Sequence, residues 1–458
     1  MRRTPAPKTM LALLLTFSVN AFAADADQAP AAVTPSPNGM PLSLKRAVEI
    51  AISPKGNGNI SLAEEQYKQA KARSAEARSA FLPNLSGAAS DVNLVQSLGR
   101  LGVTQIPLPF GLKIPAIVGP YDVVDIRASA NDTFSFSSIR RYQASRASVR
   151  AADASRGNTT NTVAATVART YLEALRTEAD FEAAQADVTL AEAVLKQAED
   201  QKNIGTGTGI EVTRQKVELS NNQQRTLIVA NERRKARLEL LRTLEMPLAT
   251  EVDLTSKLEY VPVEKITVAE ALARAFESRQ DLKAQIRNEE NARLTASSVK
   301  YERLPSVTGF ADYGTTGQGP GEPLEPTREY GISLNVPVFD GGRMDARRSE
   351  TASQYRAEKV RTKDLREQVE LEVREAIDNL NSAVDEVNVA NEGLALSDSE
   401  LTQARRRYEA GVSTGLEVTD AQTRLVRART NQIAALFNYN LARIDLGQAM
   451  GDVQRMIQ

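Results

Sequence analysis

Two long stretches of this chain carry an apolar residue at every seventh position. Val373, Leu380, Val387, Leu394, Leu401 and Tyr408 form one series. Val167, Ala174, Phe181, Val188 and Leu195 form the other, which ends on Lys202. A sustained seven-residue apolar repeat marks a helix packed along a coiled-coil seam. The interleaved position is Ile377, Val384, Asn391, Asp398 and Arg405 in one stretch and Tyr171, Glu178, Gln185, Glu192 and Glu199 in the other, so it turns polar toward the end of each. The predicted helices cover about 139–203 and 344–410, each roughly 100 Å long at 1.5 Å per residue. Shorter return helices, about 210–244 and 416–450, follow. Ahead of each long helix the period changes to two. Tyr330, Ile332, Leu334, Val336 and Val338 alternate with Gly331, Ser333, Asn335, Pro337 and Phe339, a strand-like pattern with one apolar face. The partner strands predicted are Leu85–Leu94, Val124–Phe136 and Val307–Tyr313, giving β-hairpins over about 85–136 and 307–339. Gly/Pro-rich loops join them, and the one at 97–120 is apolar around Ile106–Phe110.

These elements occur twice because the sequence does. Leu42-Ser43-Leu44-Lys45-Arg46-Ala47-Val48 returns as Ile266-Thr267-Val268-Ala269-Glu270-Ala271-Leu272, and Leu82-Pro83-Asn84-Leu85-Ser86-Gly87 as Leu304-Pro305-Ser306-Val307-Thr308-Gly309. Gly205-Thr206-Gly207-Thr208-Gly209-Ile210-Glu211-Val212-Thr213 returns as Gly411-Val412-Ser413-Thr414-Gly415-Leu416-Glu417-Val418-Thr419, with six identities in nine. One module of about 220 residues is therefore duplicated, too long for a solenoid unit. The organisation expected is a signal peptide at 1–23, a linker at 24–41, a first repeat at 42–246, a linker at 247–265, a second repeat at 266–451 and a tail at 452–458. The leader is read from basic Arg2, Arg3 and Lys8, the apolar run Met10–Val19 and the small-residue site Ala21-Phe22-Ala23.

Composition narrows the function. There is no cysteine, histidine or tryptophan among 458 residues. Thiolate and imidazole chemistry, Cys- or His-ligated zinc, disulfides and an N-terminal lipidated cysteine are thereby excluded. Only 11 Phe and 11 Tyr are present, few for several large globular cores but compatible with long helices packed through small side chains. Removing the leader takes three of 57 basic residues and none of 58 acidic ones, leaving a net charge of −4 and no signature of nucleic-acid binding. No cofactor and no metal site is expected. A carboxylate-only enzyme, such as a glycan hydrolase, needs a convergent acid pair in a compact domain, and none is legible. A soluble periplasmic coiled-coil adaptor fits the helices but not the alternating strands.

Four strands are too few to close a barrel, and open strand edges cannot face lipid. If the strands are membrane strands, several chains must pool them; three give twelve, enough for a lumen. With the leader, the twofold repeat, the duplicated G-x-x-T-G-[IL]-E-V-T turn, the L-P-x-[LV] junctions and Val338-Phe339-Asp340-Gly341-Gly342-Arg343, the chain resembles the TolC family of outer-membrane efflux proteins from about Leu42 to Gly451. The fold the resemblance implies is mainly α with a membrane β-barrel: a homotrimer with a 12-stranded barrel and an α-helical periplasmic tunnel. It implies a passive exit duct of a tripartite efflux or type I secretion system in the outer membrane of a Gram-negative bacterium. The partners implied are outer-membrane lipid, a periplasmic adaptor (membrane fusion) protein and an inner-membrane RND, MFS or ABC transporter.

The resemblance also assigns residues. The turns at Gly205, Thr208, Gly209, Gly411, Thr414 and Gly415 correspond to the periplasmic tip that adaptors grip; positive φ at a tight helical turn accounts for such glycines as well. Asp420 and Glu417 match the positions that ring the aperture, where three copies put about six carboxylates around the constriction. Family members more often carry aspartate at the position of Glu417. Thr208-x-x-Glu211 and Thr414-x-x-Glu417 also fit the capping box, an alternative role for both glutamates, and Asp420 is otherwise an ordinary solvated charge. Tyr408 ends the apolar seam as core, or by resemblance latches the closed tip, a hydrogen bond to Glu211 being one form.

Overall fold

The computed structural model describes residues 39–53, 56–98, 115–263, 266–319 and 322–457. The expected leader and the apolar centre of the 97–120 loop lie outside these residues. A short strand β1 (Met40–Leu42) leads into helices α1 (Leu44–Ile52) and α2 (Gly58–Ser79). Strands β2 (Asn84–Ser97) and β3 (Ile117–Phe134) precede the long helix α3 (Phe136–Asn203) and its return α4 (Gly209–Thr243). After β4 (Val252–Leu254) the order repeats: α5 (Val268–Ser278), α6 (Gln280–Tyr301), β5 (Ser306–Gly317), β6 (Glu325–Asn335), α7 (Arg343–Glu409) and α8 (Gly415–Met450), with α9 (Val453–Ile457) last. The expected class, long paired helices with a small set of long strands, is what the structure has.

Each long helix is started by local chemistry. Ser135 caps α3, its Oγ accepting the backbone N–H of Ser138 at 3.2 Å. Before α7, Gly341 and Gly342 both take positive φ (70° and 86°), and the Asp340 carboxylate accepts the Met344 N–H at 2.9 Å. That pair of left-handed residues turns the chain from strand to helix, a bend that residues with a Cβ resist. The alternation read through Val338 ends earlier, because β6 stops at Asn335. Pro337, which has no N–H to donate to a ladder, lies just beyond it.

All four long strands form one antiparallel sheet in the order β2-β3-β5-β6, so strands of both repeats share it and β2 and β6 are its two open edges. Directly opposed residues share a face. Val307 opposes Leu334, Gly309 opposes Ile332 and Ala311 opposes Tyr330. On β3 the same row continues through Phe134, Ala130, Ala128 and Ile126, and on β2 through Leu85 and Ala89. This face is mainly apolar; Asp132 interrupts it, and Asp91, Asn93, Asp122, Thr315 and Arg328 lie toward its hairpin ends. The opposite face carries Ser86, Arg127, Ser129, Asn131, Thr133, Thr308, Asp312, Glu329 and Ser333. Phe310 lies on that polar face across from Gly331, where an added Cβ would come within 2.8 Å of its ring. It therefore lies on the opposite face of the sheet from Tyr313 and Tyr330.

Two segments read as linkers contain the parallel pair β1–β4, with Leu42 opposite Leu254. Three-residue strands carry too little periodicity to be seen in sequence. They close a core around Leu42, Tyr171, Leu240 and Leu244, where the Tyr171 hydroxyl donates to the Leu42 carbonyl at 2.6 Å. Three further apolar clusters line the second repeat: Val369, Val373 and Leu446; Ala383, Val387 and Tyr439; and, at the far end, Leu401, Tyr408, Val418 and Leu425 with Val194 of α3. The α7 seam is buried at Val373, Val387, Leu401 and Tyr408. The α3 seam departs from expectation below Ala174. Phe181, Val188 and Leu195 are only half-buried, and the buried stripe is Ala184, Asp187, Ala191, Val194 and Ala198. Small residues let α4 and α8 approach α3 closely there, and the larger side chains are displaced to the edge of the contact.

Candidate functional site

The far end of both helical hairpins is a pair of short turns. At the end of α3, Gly205 has φ +84°; its N–H bonds to the Lys202 carbonyl at 3.1 Å, and the Thr206 N–H to Gln201 at 3.0 Å. At the end of α7, Gly411 has φ +72°, with Gly411 N–H to Tyr408 (3.1 Å) and Val412 N–H to Arg407 (3.0 Å). Both are Schellman closures, which satisfy the last helical carbonyls and favour glycine at the left-handed position. Gly209 and Gly415 differ: they are the first residues of α4 and α8, without positive φ. The symmetry of the sequence motif thus hides two roles.

The two capping boxes also separate. In the first repeat the Thr208 N–H and hydroxyl both donate to the Glu211 carboxylate, at 3.1 and 3.2 Å. In the second, Thr414 makes no side-chain cap and Glu417 instead meets Arg407 at 3.5 Å. Capping thus accounts for Glu211 and not for Glu417. Asp420 is exposed and has no hydrogen-bond or ion-pair partner among the described residues.

Tyr408 is buried in the tip cluster with Leu401, Ala404, Val418 and Ala421. Its hydroxyl makes no hydrogen bond among the described residues, so the direct bond to Glu211 is not formed. The two groups nevertheless converge on Gly415, whose added Cβ would stand 3.5 Å from Glu211 Oε1 and 3.7 Å from the tyrosine hydroxyl. Burial, and then the nearby Glu211 carboxylate, push the Tyr408 hydroxyl above its ordinary pKa, so it stays protonated as a donor. Beside this contact Gln215 of α4 is buried and donates to Thr419 of α8 at 3.0 Å. Gln422 is buried one turn further along α8. Around the turns Ile204, Ile210, Val412 and Leu416 are exposed, an apolar rim on an otherwise polar tip.

Three side chains that make contacts at or near the tip escape the sequence reading: Arg407, Gln215 and Asp187. Asp187 is the one buried carboxylate among the described residues. The Arg429 guanidinium donates to it at 2.8 Å, and Arg225 lies at 3.7 Å. Its signal was the 3-4-3-4 spacing of Ala184, Asp187, Ala191, Val194 and Ala198, in which a charge occupies a core position.

Comparison with known proteins agrees with this fold. Residues 271–452, most of the second repeat, match the family described as outer membrane efflux protein. The pyoverdine export outer membrane protein OpmQ of Pseudomonas putida is 25% identical over 306 residues, 63% of this chain and 62% of that protein. The outer membrane protein TolC of Vibrio cholerae is 22% identical over 293 residues, 62% of this chain and 66% of the relative. The match thus spans less than two thirds of the length of either relative. Among solved structures, the outer-membrane channel OprN superposes with a TM-score of 0.74 at 18% identity, covering 90% of both chains. The Campylobacter jejuni CmeC outer membrane channel gives 0.76 at 14% identity, covering 89% of this chain and 85% of that one.

Proposed function

We propose that this chain belongs to the TolC family of outer-membrane efflux proteins and works as the exit duct of an export system, conducting substrates passively across the outer membrane. One observation carries the reading: a four-stranded sheet, mainly apolar on one face and mainly polar on the other, that leaves both edges open. An 11-residue strand such as β6 rises about 37 Å, or about 26 Å at a 45° tilt, close to the hydrocarbon thickness of a bilayer. Open edges are not tolerated in lipid, so other copies of the chain must pair with β2 and β6. A homotrimer supplies twelve strands, with the Ile332 face to lipid and the Ser333 face to the lumen. The roughly 100 Å helices then extend the lumen into the periplasm.

At the far end, Asp420 rings the constriction and Glu417 stands beside it, while the turns at Gly205–Gly209 and Gly411–Gly415, with their exposed apolar rim, receive the adaptor. Tyr408 and Glu211 hold the second-repeat hairpin against the first. Recruitment of an adaptor and an inner-membrane pump shifts the tip to its open arrangement by binding that arrangement better. Such a duct serves either tripartite efflux of small molecules or type I secretion.

Purified protein in planar bilayers tests this. The wild type forms a cation-preferring channel, and Asp420→Asn with Glu417→Gln lowers that preference. Unchanged selectivity overturns the aperture assignment. Recovery in a soluble periplasmic fraction, without heat-modifiable gel mobility, overturns the duct.

A further inference from the structure

The apolar clusters along α8 are interrupted. From the tip, buried residues run from Gly415 to Leu425 and resume at Ala435; none of residues 426–434 is buried. Asp187 of α3 fills the level of this gap. It takes a hydrogen bond from Arg429 of α8 and faces Arg225 of α4. Arg225 also donates to Thr430 of α8 at 3.0 Å, and Gln432 of α8 to Asn391 of α7 at 2.8 Å. On α4, the neighbouring Thr226 donates to the Ala184 carbonyl of α3 at 3.4 Å. All four long helices therefore meet in one polar layer. It lies 17 residues from Ile204, about 25 Å from the tip.

Such a layer behaves differently from the clusters above and below it. Apolar contacts are non-directional, so helices packed through them slide and part gradually. A carboxylate held between two guanidiniums has one register, and separating it leaves charges without partners. On the tip side α8 is tied to α4 by the neutral Gln215–Thr419 hydrogen bond and to α7 by the exposed Arg424–Glu400 pair, and the cluster of Val194, Leu401, Tyr408, Val418 and Leu425 between them is apolar.

We infer that the Asp187–Arg225–Arg429 layer is the pivot of the gate: it is fully made only in the closed register of α8 on α3, and the tip-side turns of α7 and α8 swing away about it as it yields. The inference rests on the duct reading and adds where the motion stops. Asp187 and Arg429 are positioning residues that act on the aperture through the helix between Arg429 and Asp420, about two and a half turns away.

The test uses the full-length protein. Asp187→Asn keeps the side-chain shape and removes the charge; in planar bilayers it raises the open fraction about tenfold, equivalent to about 1.4 kcal/mol. Asp187→Asn/Arg429→Gln opens no further than either single variant, because one bond is being removed. Arg429→Gln alone, at a partly exposed side chain, gives the same increase and serves if the Asp187 variant does not assemble. An open fraction equal to that of the wild type, or two effects that add, overturns the pivot. Hydrogen exchange separates this from failure of the duct, since it needs no conductance. In Asp187→Asn, protection falls in the peptides covering 188–204 and 415–428 and is retained in 435–450. Loss spread evenly along α8 also overturns the pivot. A wild-type protein that conducts nothing while exchange shows that boundary overturns the duct and leaves the layer as a hinge.

Discussion

The paired glycines of the tip allow a perturbation whose sign differs between residues that look equivalent in sequence. Gly411 has φ +72°, and a Cβ added there meets no atom within 4 Å. Alanine at 411 therefore suffers no collision, and its cost is that of the backbone conformation alone. A left-handed conformation costs an L-residue about 1–2 kcal/mol, part of it offset because alanine has fewer unfolded conformations to lose. A net cost of about 1 kcal/mol corresponds to about a fivefold change in a local opening equilibrium. Gly209 is also free of neighbours within 4 Å, but it opens α4 with ordinary helical geometry. Alanine there gains about 0.5 kcal/mol from better helix propensity. Hydrogen exchange of the tip reads both changes through the Val412 amide, bonded to Arg407, and the Thr206 amide, bonded to Gln201. Gly411→Ala speeds exchange at its turn about fivefold, and Gly209→Ala leaves its own turn unchanged or slower. Equal responses of the same sign refute the assignment of cap and helix-start roles.

The same contrast shows where sequence reasoning stopped. A seven-residue apolar period is written directly in Val373, Val387, Leu401 and Tyr408, and their burial follows from it. Along α3 the period was assigned to the large residues Phe181, Val188 and Leu195, whereas close packing selected the alanines between them. At a narrow helix contact small residues fill the buried stripe and large ones stand at its edge. The strand pairing of the second hairpin was legible because alternation marks one face. That the first and second hairpins join through β3 and β5 into one sheet was not, since nothing local encodes a pairing between Asn131 and Phe310. The candidate tip was legible as a motif and misleading as a symmetry. Thr208 and Thr414 both open a Thr-Gly-x-Glu motif, yet only the first makes the capping box, and Glu417 lies within reach of Arg407 instead. Charge partners across a turn depend on the three-dimensional placement of side chains, which spacing alone does not carry.

Three further predictions rest on these contacts. Arg407→Gln releases Glu417 from its only ion-pair partner among the described residues and, in the proposed trimer, frees three carboxylates near the proposed aperture, so cation preference in planar bilayers rises; an unchanged or reduced preference argues that Glu417 does not face the lumen. Ile332→Arg puts a charge on the apolar face of β6, where midplane positions cost about 2–4 kcal/mol, and lowers the fraction that refolds into vesicles as heat-modifiable protein; a wild-type yield removes β6 from the lipid contact. The last concerns acid. Burial disfavours the Asp281 anion, but the Arg279 guanidinium at 2.6 Å and the Leu282 N–H at 2.8 Å outweigh it and hold the carboxyl below its ordinary pKa. Because the folded value is the lower one, this carboxylate contributes stability that is fully present above the ordinary value of about 3.9 and disappears as pH falls through the lowered one. Arg279 also bridges to Glu372 of α7 and to the Ala449 carbonyl of α8, so the loss loosens the corner between α5 and α6 from both second-repeat helices. With no histidine in the chain, no imidazole titration intervenes near neutrality. The unfolding temperature should therefore be level from pH 8 to about 5 and fall below about 4, and Asp281→Asn should start lower at neutral pH and fall less steeply in acid. An acid dependence as steep in Asp281→Asn as in the wild type would assign the transition to other carboxylates.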